Sequence, residues 1–189
     1  MTATALSDAE QSNAEQSVAE QSVLRLDELP PGAAENLLQR YGLNLQTVAE
    51  GQPIPGTFWG EPEAGIIAGT VYARPDTPVH SLLHEACHLL VLTPEQRQHI
   101  HTDASGDQTN ENATCYLQIL LADQLPGMGR ARMLADMDAW GYSFRLGSAQ
   151  AWFEKDAEDA RQTLVERGIV DARDDTVLIC APKSTSLNI

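Results

Sequence analysis

The chain has 189 residues, of which 42% are hydrophobic and 21% are charged, which is typical of one globular domain with tails. Twelve basic and 27 acidic residues give a formal net charge of −15, and this disfavours a nucleic-acid partner because an acidic surface repels phosphate backbones. The longest apolar run near the middle, residues 89–92, is far too short to cross a bilayer, so we expect no membrane partner.

Three widely spaced cysteines, Cys87, Cys115 and Cys180, lack the even-numbered pattern of a disulfide framework. This favours a reducing compartment, and we expect a cytoplasmic protein. The stretch 1–8 has no basic residue followed by an apolar run, so we expect no secretory signal.

Residues 9–23 repeat a five-residue unit three times, as AEQSN-AEQSV-AEQSV. A period of five matches neither a helix nor a strand, and the repeat has almost no large apolar side chains with which to offset its ordering entropy. We therefore predict a flexible tail at 1–23, a domain at 24–172 and a C-terminal extension at 173–189.

The first part of the predicted domain combines one helix with a small sheet. The stretch AAENLLQRYG at 33–42 predicts a short helix that ends at Gly42. Residues 57–59 and 65–74 are rich in β-branched and aromatic side chains, and the 60–63 stretch between them is typical of a turn. These two segments predict a small antiparallel hairpin or sheet edge.

The pattern changes to a helical period after the predicted hairpin. Asp76 or Thr77 is placed to cap a helix that has Pro78 in its first turn. Four apolar residues at i, i+4, i+7 and i+11 form the buried stripe of this helix: Val79, Leu83, Ala86 and Leu90.

Several further helices are predicted downstream. Thr93 and Gln96 are spaced as a capping box, which predicts a second short helix. After a polar loop at 101–108, Asp107 or Thr109 starts a helix that runs to about Leu125. The remaining predicted elements are helices at 130–140 and 148–167 and a short strand at 176–180. The expected fold class is α+β, mostly helical, with a short antiparallel sheet before the helix that begins near Pro78.

That helix contains His84-Glu85-Ala86-Cys87-His88, which is the pattern H-E-x-x-H. Residues four apart lie on one face of a helix, so the imidazoles of His84 and His88 can reach the same metal ion. Glu85 flanks this face, where it can act as the general base for water activated by the metal. A catalytic zinc site has three protein ligands, so one more ligand must come from elsewhere in the chain.

The third ligand is not a histidine of the metzincin pattern, because Val91 and Pro94 stand where that pattern has a glycine and a histidine. The other candidates downstream are His99, His101, Asp103, Asp107 and Glu111. Glu111 is favoured because it lies in the first turn of the predicted helix TNENATCYLQILLADQL, which would hold its carboxylate firmly. His99 and His101 lie near a helix end and a loop, and they are weaker candidates.

His84–His88 followed by Asn110-Glu111 resembles the gluzincin metallopeptidases, in which H-E-x-x-H and a glutamate on the following helix bind zinc. The stretch 111–126 is also similar to the ImmA/IrrE-type bacterial peptidases, where the ligand glutamate precedes an alanine, an aromatic residue and paired leucines. The resemblance covers residues 77–126 and implies a zincin-like domain. Thermolysin-type gluzincins have an aspartate one turn after the ligand glutamate, and Cys115 stands at that place here.

His80 lies one turn before His84, so a fourth ligand is one interpretation. We predict instead that His80 supports a ligand or starts the helix, because three residues spread over two turns diverge from a single point. Cys87 and Cys115 lie on the two predicted ligand helices, and we predict that both are small buried apolar residues. Cys115 as a thiolate ligand, a supporting residue or a redox control is the alternative.

Amide hydrolysis also needs a group that stabilises the oxyanion. Tyr142, in the Gly141-Tyr142-Ser143 break between helices, is the first candidate, and His101 and Tyr116 are the others. The segment 65–74 could also offer its edge to an extended peptide.

Together these patterns predict a hydrolase that binds one Zn²⁺ per chain through His84, His88 and Glu111 and cleaves a peptide or amide bond. Its partner would be a peptide or protein substrate, and the sequence does not specify the oligomeric state. The alternative is a non-catalytic interaction module with a structural zinc site. Such a site would be closed by a fourth protein ligand, for example His80 or Cys115, and would tolerate Glu85→Gln.

Overall fold

The structure is a computed structural model that describes residues 23–102 and 107–178. The AEQS repeat, except Val23 at its end, lies outside these residues, as does the end of the strand predicted at 176–180. Seven α-helices are present in the described part of the chain: α1 Ala33–Arg40, α2 Val79–Val91, α3 Pro94–Arg97, α4 Gln108–Ala122, α5 Arg130–Trp140, α6 Ala149–Lys155 and α7 Glu158–Glu166. With one three-stranded sheet they confirm a small, mostly helical α+β domain. Among the residues described, no helix has both the length and the apolarity that a membrane crossing requires.

The sheet precedes α2 and consists of β1 (Asn44–Thr47), β2 (Gly65–Ile67) and β3 (Thr70–Ala73), in the order β1-β3-β2. It is mixed, because β3 pairs antiparallel with β2 and parallel with β1. The predicted strand at 57–59 is wrong: only Thr57 forms an isolated bridge, with Gly65. The hairpin instead turns within 65–74, at Ala68 and Gly69, whose φ angles of 46° and 83° suit a tight two-residue turn.

The outer edge of β2 is already covered by two neighbouring segments. The Ile66 N–H donates to Gly56 O at 3.2 Å, and Ile66 O accepts from the Thr102 N–H at 3.1 Å. Ala68 N–H donates to Ile100 O at 2.9 Å. Because β3 is paired on both sides, the 65–74 segment has no edge to offer a peptide, and the prediction of strand addition there is wrong.

Helix α2 lies in the centre of the core between the sheet and α4. Twelve of its thirteen residues are buried, including the predicted stripe of Val79, Leu83, Ala86 and Leu90. Neither Asp76 nor Thr77 caps the helix, since both side chains bind Arg74 instead. The Val79 N–H is satisfied by Leu24 O at 2.9 Å, so a tertiary contact replaces the predicted cap.

Other helix starts agree with the sequence. The Asp107 side chain accepts from the Asn110 N–H at 2.8 Å and caps α4, and Thr93 and Gln96 form the predicted capping box of α3. The single helix predicted at 148–167 is wrong, because the chain breaks between α6 and α7. At the break the Asp156 carboxylate accepts hydrogen bonds from the Arg145 guanidinium, a contact across the fold that no local pattern reveals.

Candidate metal centre

The metal-binding candidates on α2 and α4 converge at one point. His84 and His88 lie one turn apart on α2, and Glu111 lies in the first turn of α4. The His84 Nε2 and His88 Nε2 atoms are 3.0 Å apart. Glu111 Oε1 lies 3.3 Å from His88 Nε2, and Glu111 Oε2 lies 3.6 Å from His84 Nε2. These three side chains form a group that could hold a metal ion.

The separations of the three donor groups suit one small cation. Ligand atoms at about 2.0–2.1 Å from zinc in a tetrahedral arrangement lie about 3.3–3.4 Å from one another. The two imidazole nitrogens are 3.0 Å apart, and a Glu111 carboxylate oxygen lies 3.3 Å from one nitrogen and the other oxygen 3.6 Å from the second, which is close to that value. Two imidazole nitrogens and one carboxylate oxygen are also a donor set that zinc accepts. The residues therefore fit a zinc ion.

Two residues of α4 hold the ligand rings, and the sequence did not reveal either of them. The His84 Nδ1–H donates to Gln118 Oε1 at 2.6 Å, which leaves Nε2 as the metal-facing nitrogen. The buried Gln118 is fixed in turn, because its Nε2–H donates to the Met133 sulfur at 3.5 Å. His88 Nδ1 lies 3.3 Å from Thr114 Oγ1, and its N–H donates to this hydroxyl in the tautomer whose Nε2 can bind a metal.

A signal for these residues was available in the spacing. Thr114 and Gln118 lie three and seven residues after Glu111, so all three side chains share one face of α4. A glutamine within the apolar run YLQILL is the polar exception on that face. Gln118, two turns after Glu111, therefore supports the His84 ring through Nδ1.

The electrostatic surroundings of His84 favour its protonated form when no metal is bound. Burial lowers the pKa of His84, but neighbouring groups, including the Glu111 carboxylate, raise it by more, and the pKa lies well above its usual value. A metal ion that binds His84 must therefore displace a proton.

A cavity of about 400 Å³ opens directly over the three ligands. Glu85 lines it and is only 8% exposed, which places its carboxylate beside the ligands without making it one of them. The two carboxylates of Glu85 and Glu111 contribute the only formal charges of the described lining, apart from any proton on the histidines. The cavity is thus an acidic chamber with a metal-binding floor.

Tyr142 reaches the cavity because α5 ends in a sharp turn. Gly141 has a φ of 97°, its N–H donates to Asp138 O, and the Tyr142 N–H donates to Met137 O at 3.0 Å. This turn sets the Tyr142 ring 5.8 Å from the His84 ring, centre to centre. Burial raises the pKa of Tyr142, so its hydroxyl stays a hydrogen-bond donor at neutral pH.

His80 is fully buried one turn before His84, but it is not part of the metal-binding group. Its ring lies 5.0 Å from that of Trp140 and 5.6 Å from that of Tyr142. Neither ring nitrogen has a hydrogen-bond partner among the described residues. Burial lowers the pKa of His80 to about 3, so the ring is neutral.

Both described cysteines are buried, as predicted. Burial raises the pKa of Cys87, which keeps it a thiol. Cys115 lines the cavity and contacts His84, but it is outside the three-residue group. A supporting role for Cys115 stays a prediction.

The remaining candidates do not meet at this centre. His99, His101 and Asp107 are outside the metal-binding group of the described chain, and Asp103 lies outside the described residues. The Tyr116 hydroxyl donates to Asp175 at 3.2 Å and its ring stacks on Phe153, so Tyr116 points away from the cavity and is wrong as an oxyanion donor. His101 binds Thr102 through Nδ1 and is exposed outside the cavity lining.

Comparison with known proteins adds no relative: no family model matches the chain, and no curated protein or solved structure matches it at a significant level.

Proposed function

We propose that the chain is a zinc-dependent hydrolase of peptide or amide bonds. The observation that carries this proposal is the convergence of His84, His88 and Glu111 beneath an open cavity that Glu85 also lines. The resemblance of H-E-x-x-H and Asn110-Glu111 to the gluzincin metallopeptidases supports the same activity.

The open cavity favours a catalytic site over a structural one. Structural zinc sites are closed by four protein ligands, whereas catalytic sites have three and leave one position for water or substrate. Among the described residues the group has three members, and His80 and Cys115 are both outside it. A bound zinc ion would supply a Lewis acid that polarises a carbonyl group and acidifies water.

The protein groups then divide the remaining work. Glu85 accepts the proton of the attacking water and delivers it to the leaving nitrogen. Gln118 keeps His84 in the tautomer whose Nε2 is free to bind metal. The Tyr142 hydroxyl is the candidate donor to the oxygen that becomes negative as the carbonyl is attacked.

The first experiment measures metal content by mass spectrometry on protein purified without added metal, beside His84→Ala. We expect about one zinc per chain in the parent protein and its loss in the variant, because two remaining ligands bind zinc poorly. Absence of metal from both proteins, even after zinc is offered, would refute the site.

The second experiment compares hydrolysis of a peptide library by the zinc-loaded parent protein, Glu85→Gln and Tyr142→Phe. We expect turnover to fall about 10²–10⁴-fold in Glu85→Gln, since general-base catalysis contributes that much. Tyr142→Phe should lower turnover and retain zinc. If hydrolysis is unchanged in Glu85→Gln, the metal has a structural role or another group is the base.

A further inference from the structure

Two aromatic side chains stand exposed at the rim of the metal-binding cavity. Phe58 is 51% exposed and Trp59 is 78% exposed, yet both line the cavity together with His84 and Glu111. Their rings pack edge to face with centres 5.0 Å apart. We call Phe58 and Trp59 the aromatic rim. Large exposed aromatic surface next to a polar site is typical of a binding surface.

The segment that carries the aromatic rim is pinned to strand β2. A Cβ atom on Gly65 would lie 2.2 Å from Pro55 O, and one on Gly56 would lie 2.4 Å from Ile66 O, so two backbones cross in direct contact. The Thr57 hydroxyl donates to Gly60 O at 3.0 Å and accepts from the Gly60 N–H at 3.1 Å. This turn holds the rim in place.

The far end of the same segment is also fixed. Glu61 accepts the Ile54 N–H at 3.1 Å and pairs with the guanidinium of the buried Arg74 at the end of β3. A rim held at both ends loses little conformational entropy when a ligand packs on it. The fold therefore holds Phe58 and Trp59 in their exposed positions.

The charge of the cavity restricts what can lie beside the rim. Its described lining contains the carboxylates of Glu85 and Glu111 and no lysine or arginine. With a net charge of −15 the whole chain attracts cationic ligands and repels acidic ones.

The lack of lysine and arginine in the described cavity lining also affects which bond of a peptide would be cut. A free C-terminal carboxylate is normally held by an arginine or lysine, and the described cavity lining has neither. The chemistry of the cavity thus favours a bond within a peptide over the last bond of a chain.

We infer that the cavity binds an internal peptide segment in which an apolar, preferably aromatic, side chain packs on Phe58 and Trp59 and lysine or arginine residues flank it. This inference rests on the proposed function, because it names the substrate class of that site. Aromatic packing supplies the anchor, and the net charge of −15 on the chain favours positive charge on the flanking residues.

Binding tests the inference separately from hydrolysis. The probes are three fluorescein-labelled peptides with blocked ends: one with a central phenylalanine and lysine flanks, one with alanine replacing the phenylalanine, and one with glutamate flanks. Zinc-loaded protein carrying Glu85→Gln is titrated with each peptide, so that no probe is consumed. We expect the phenylalanine–lysine peptide to bind at least about tenfold more tightly than either of the others.

Variants then locate the anchor. Trp59→Ala and Phe58→Ala in the same background should weaken the phenylalanine–lysine peptide at least about tenfold and leave the alanine peptide unchanged. Leu178→Ala is the matched control, since Leu178 is 48% exposed and is not part of the cavity lining. Equal binding of all three peptides, or equal loss in Leu178→Ala and Trp59→Ala, overturns the inference.

The outcomes also separate the two proposals. Selective binding without any hydrolysis by the zinc-loaded parent protein would retain the aromatic rim as a peptide site and overturn the hydrolase. Hydrolysis without preference for an aromatic side chain or for basic flanks would retain the hydrolase and overturn the substrate class.

Discussion

The first turn of helix α2 and its later turns both contain histidines, but the polar atoms of these side chains have different surroundings. His80 has two ring nitrogens without a hydrogen-bond partner in the described residues, and aromatic rings surround it. His84 and His88 each donate Nδ1–H to a side chain of α4 and present Nε2 to Glu111. The difference indicates that burial and spacing alone do not orient a histidine ring for metal binding, and that contacts with a neighbouring helix do.

The largest expected effect on zinc affinity comes from removing the side chain that orients the His84 ring. Gln118→Leu should weaken zinc affinity about 10–100-fold, because the ring then has no acceptor for Nδ1–H. Competition with a chromophoric chelator measures the affinity. Gln118→Glu is the matched control, since it retains an acceptor oxygen and should retain tight binding. Equal affinity in the parent protein and Gln118→Leu would show that Gln118 has no part in orienting His84.

A lower pH should have the second-largest effect on zinc affinity, and it acts through His84 in the middle of α2. The pKa of metal-free His84 is raised, so protons compete with zinc at pH values above the ordinary histidine range. Zinc affinity should therefore fall as pH falls, by about tenfold per pH unit once His84 is protonated in the free protein. Isothermal titration at several pH values, corrected for buffer ionisation, tests this. Affinity that is constant from pH 8 to pH 6 would contradict the prediction.

Replacing His80 should increase the stability of the protein, whereas the preceding changes weaken zinc binding. His80→Leu removes two buried nitrogens that cost about 1–3 kcal/mol, and it gives up ring contacts worth about 0.5–1.5 kcal/mol. We expect a gain of about 1 kcal/mol in the free energy of unfolding, measured by urea denaturation of the metal-free protein. Zinc content should not change. Loss of zinc in His80→Leu would place His80 within the metal centre.

The smallest expected effect is at Thr114. Its hydroxyl accepts from His88 Nδ1–H at 3.3 Å, which is longer than the corresponding contact of 2.6 Å at His84. Thr114→Val retains the shape and should weaken zinc affinity only about two- to fivefold, the equivalent of one weak hydrogen bond. The same chelator competition measures it. A loss as large as that of Gln118→Leu would show that both histidines depend equally on α4.

Some of this centre could be predicted from the sequence because its signals are local. The spacing of His84 and His88 places two imidazoles on one helical face wherever that helix lies. Glu111 could be predicted for a similar reason, since a capped helix start at Asp107 fixes its position in the first turn. Gln118 was missed because its role depends on how α2 packs on α4, although its spacing from Glu111 marked the shared face.

Other parts of the fold depend on contacts between distant segments. Strand β1 pairs with β3 in parallel, with Leu45 opposite Val71, and its own sequence NLQT carries no strand signal. The residues Phe58 and Trp59 suggest a strand by composition, but the crossing at Gly56 and Gly65 places them in a turn at the cavity rim. Propensity cannot distinguish an aromatic side chain that packs in a sheet from one displayed for binding.

The covered edge of β2 has a consequence for how the protein behaves at high concentration. An open edge with Ile66 and Ile67 would be a template for pairing with another chain, which is how many β-containing proteins begin to aggregate. Gly56 and Thr102 occupy the outward hydrogen-bonding groups of Ile66, so that template is closed within the monomer. The segments that frame the metal-binding cavity thereby also protect this edge of the sheet from pairing with another chain.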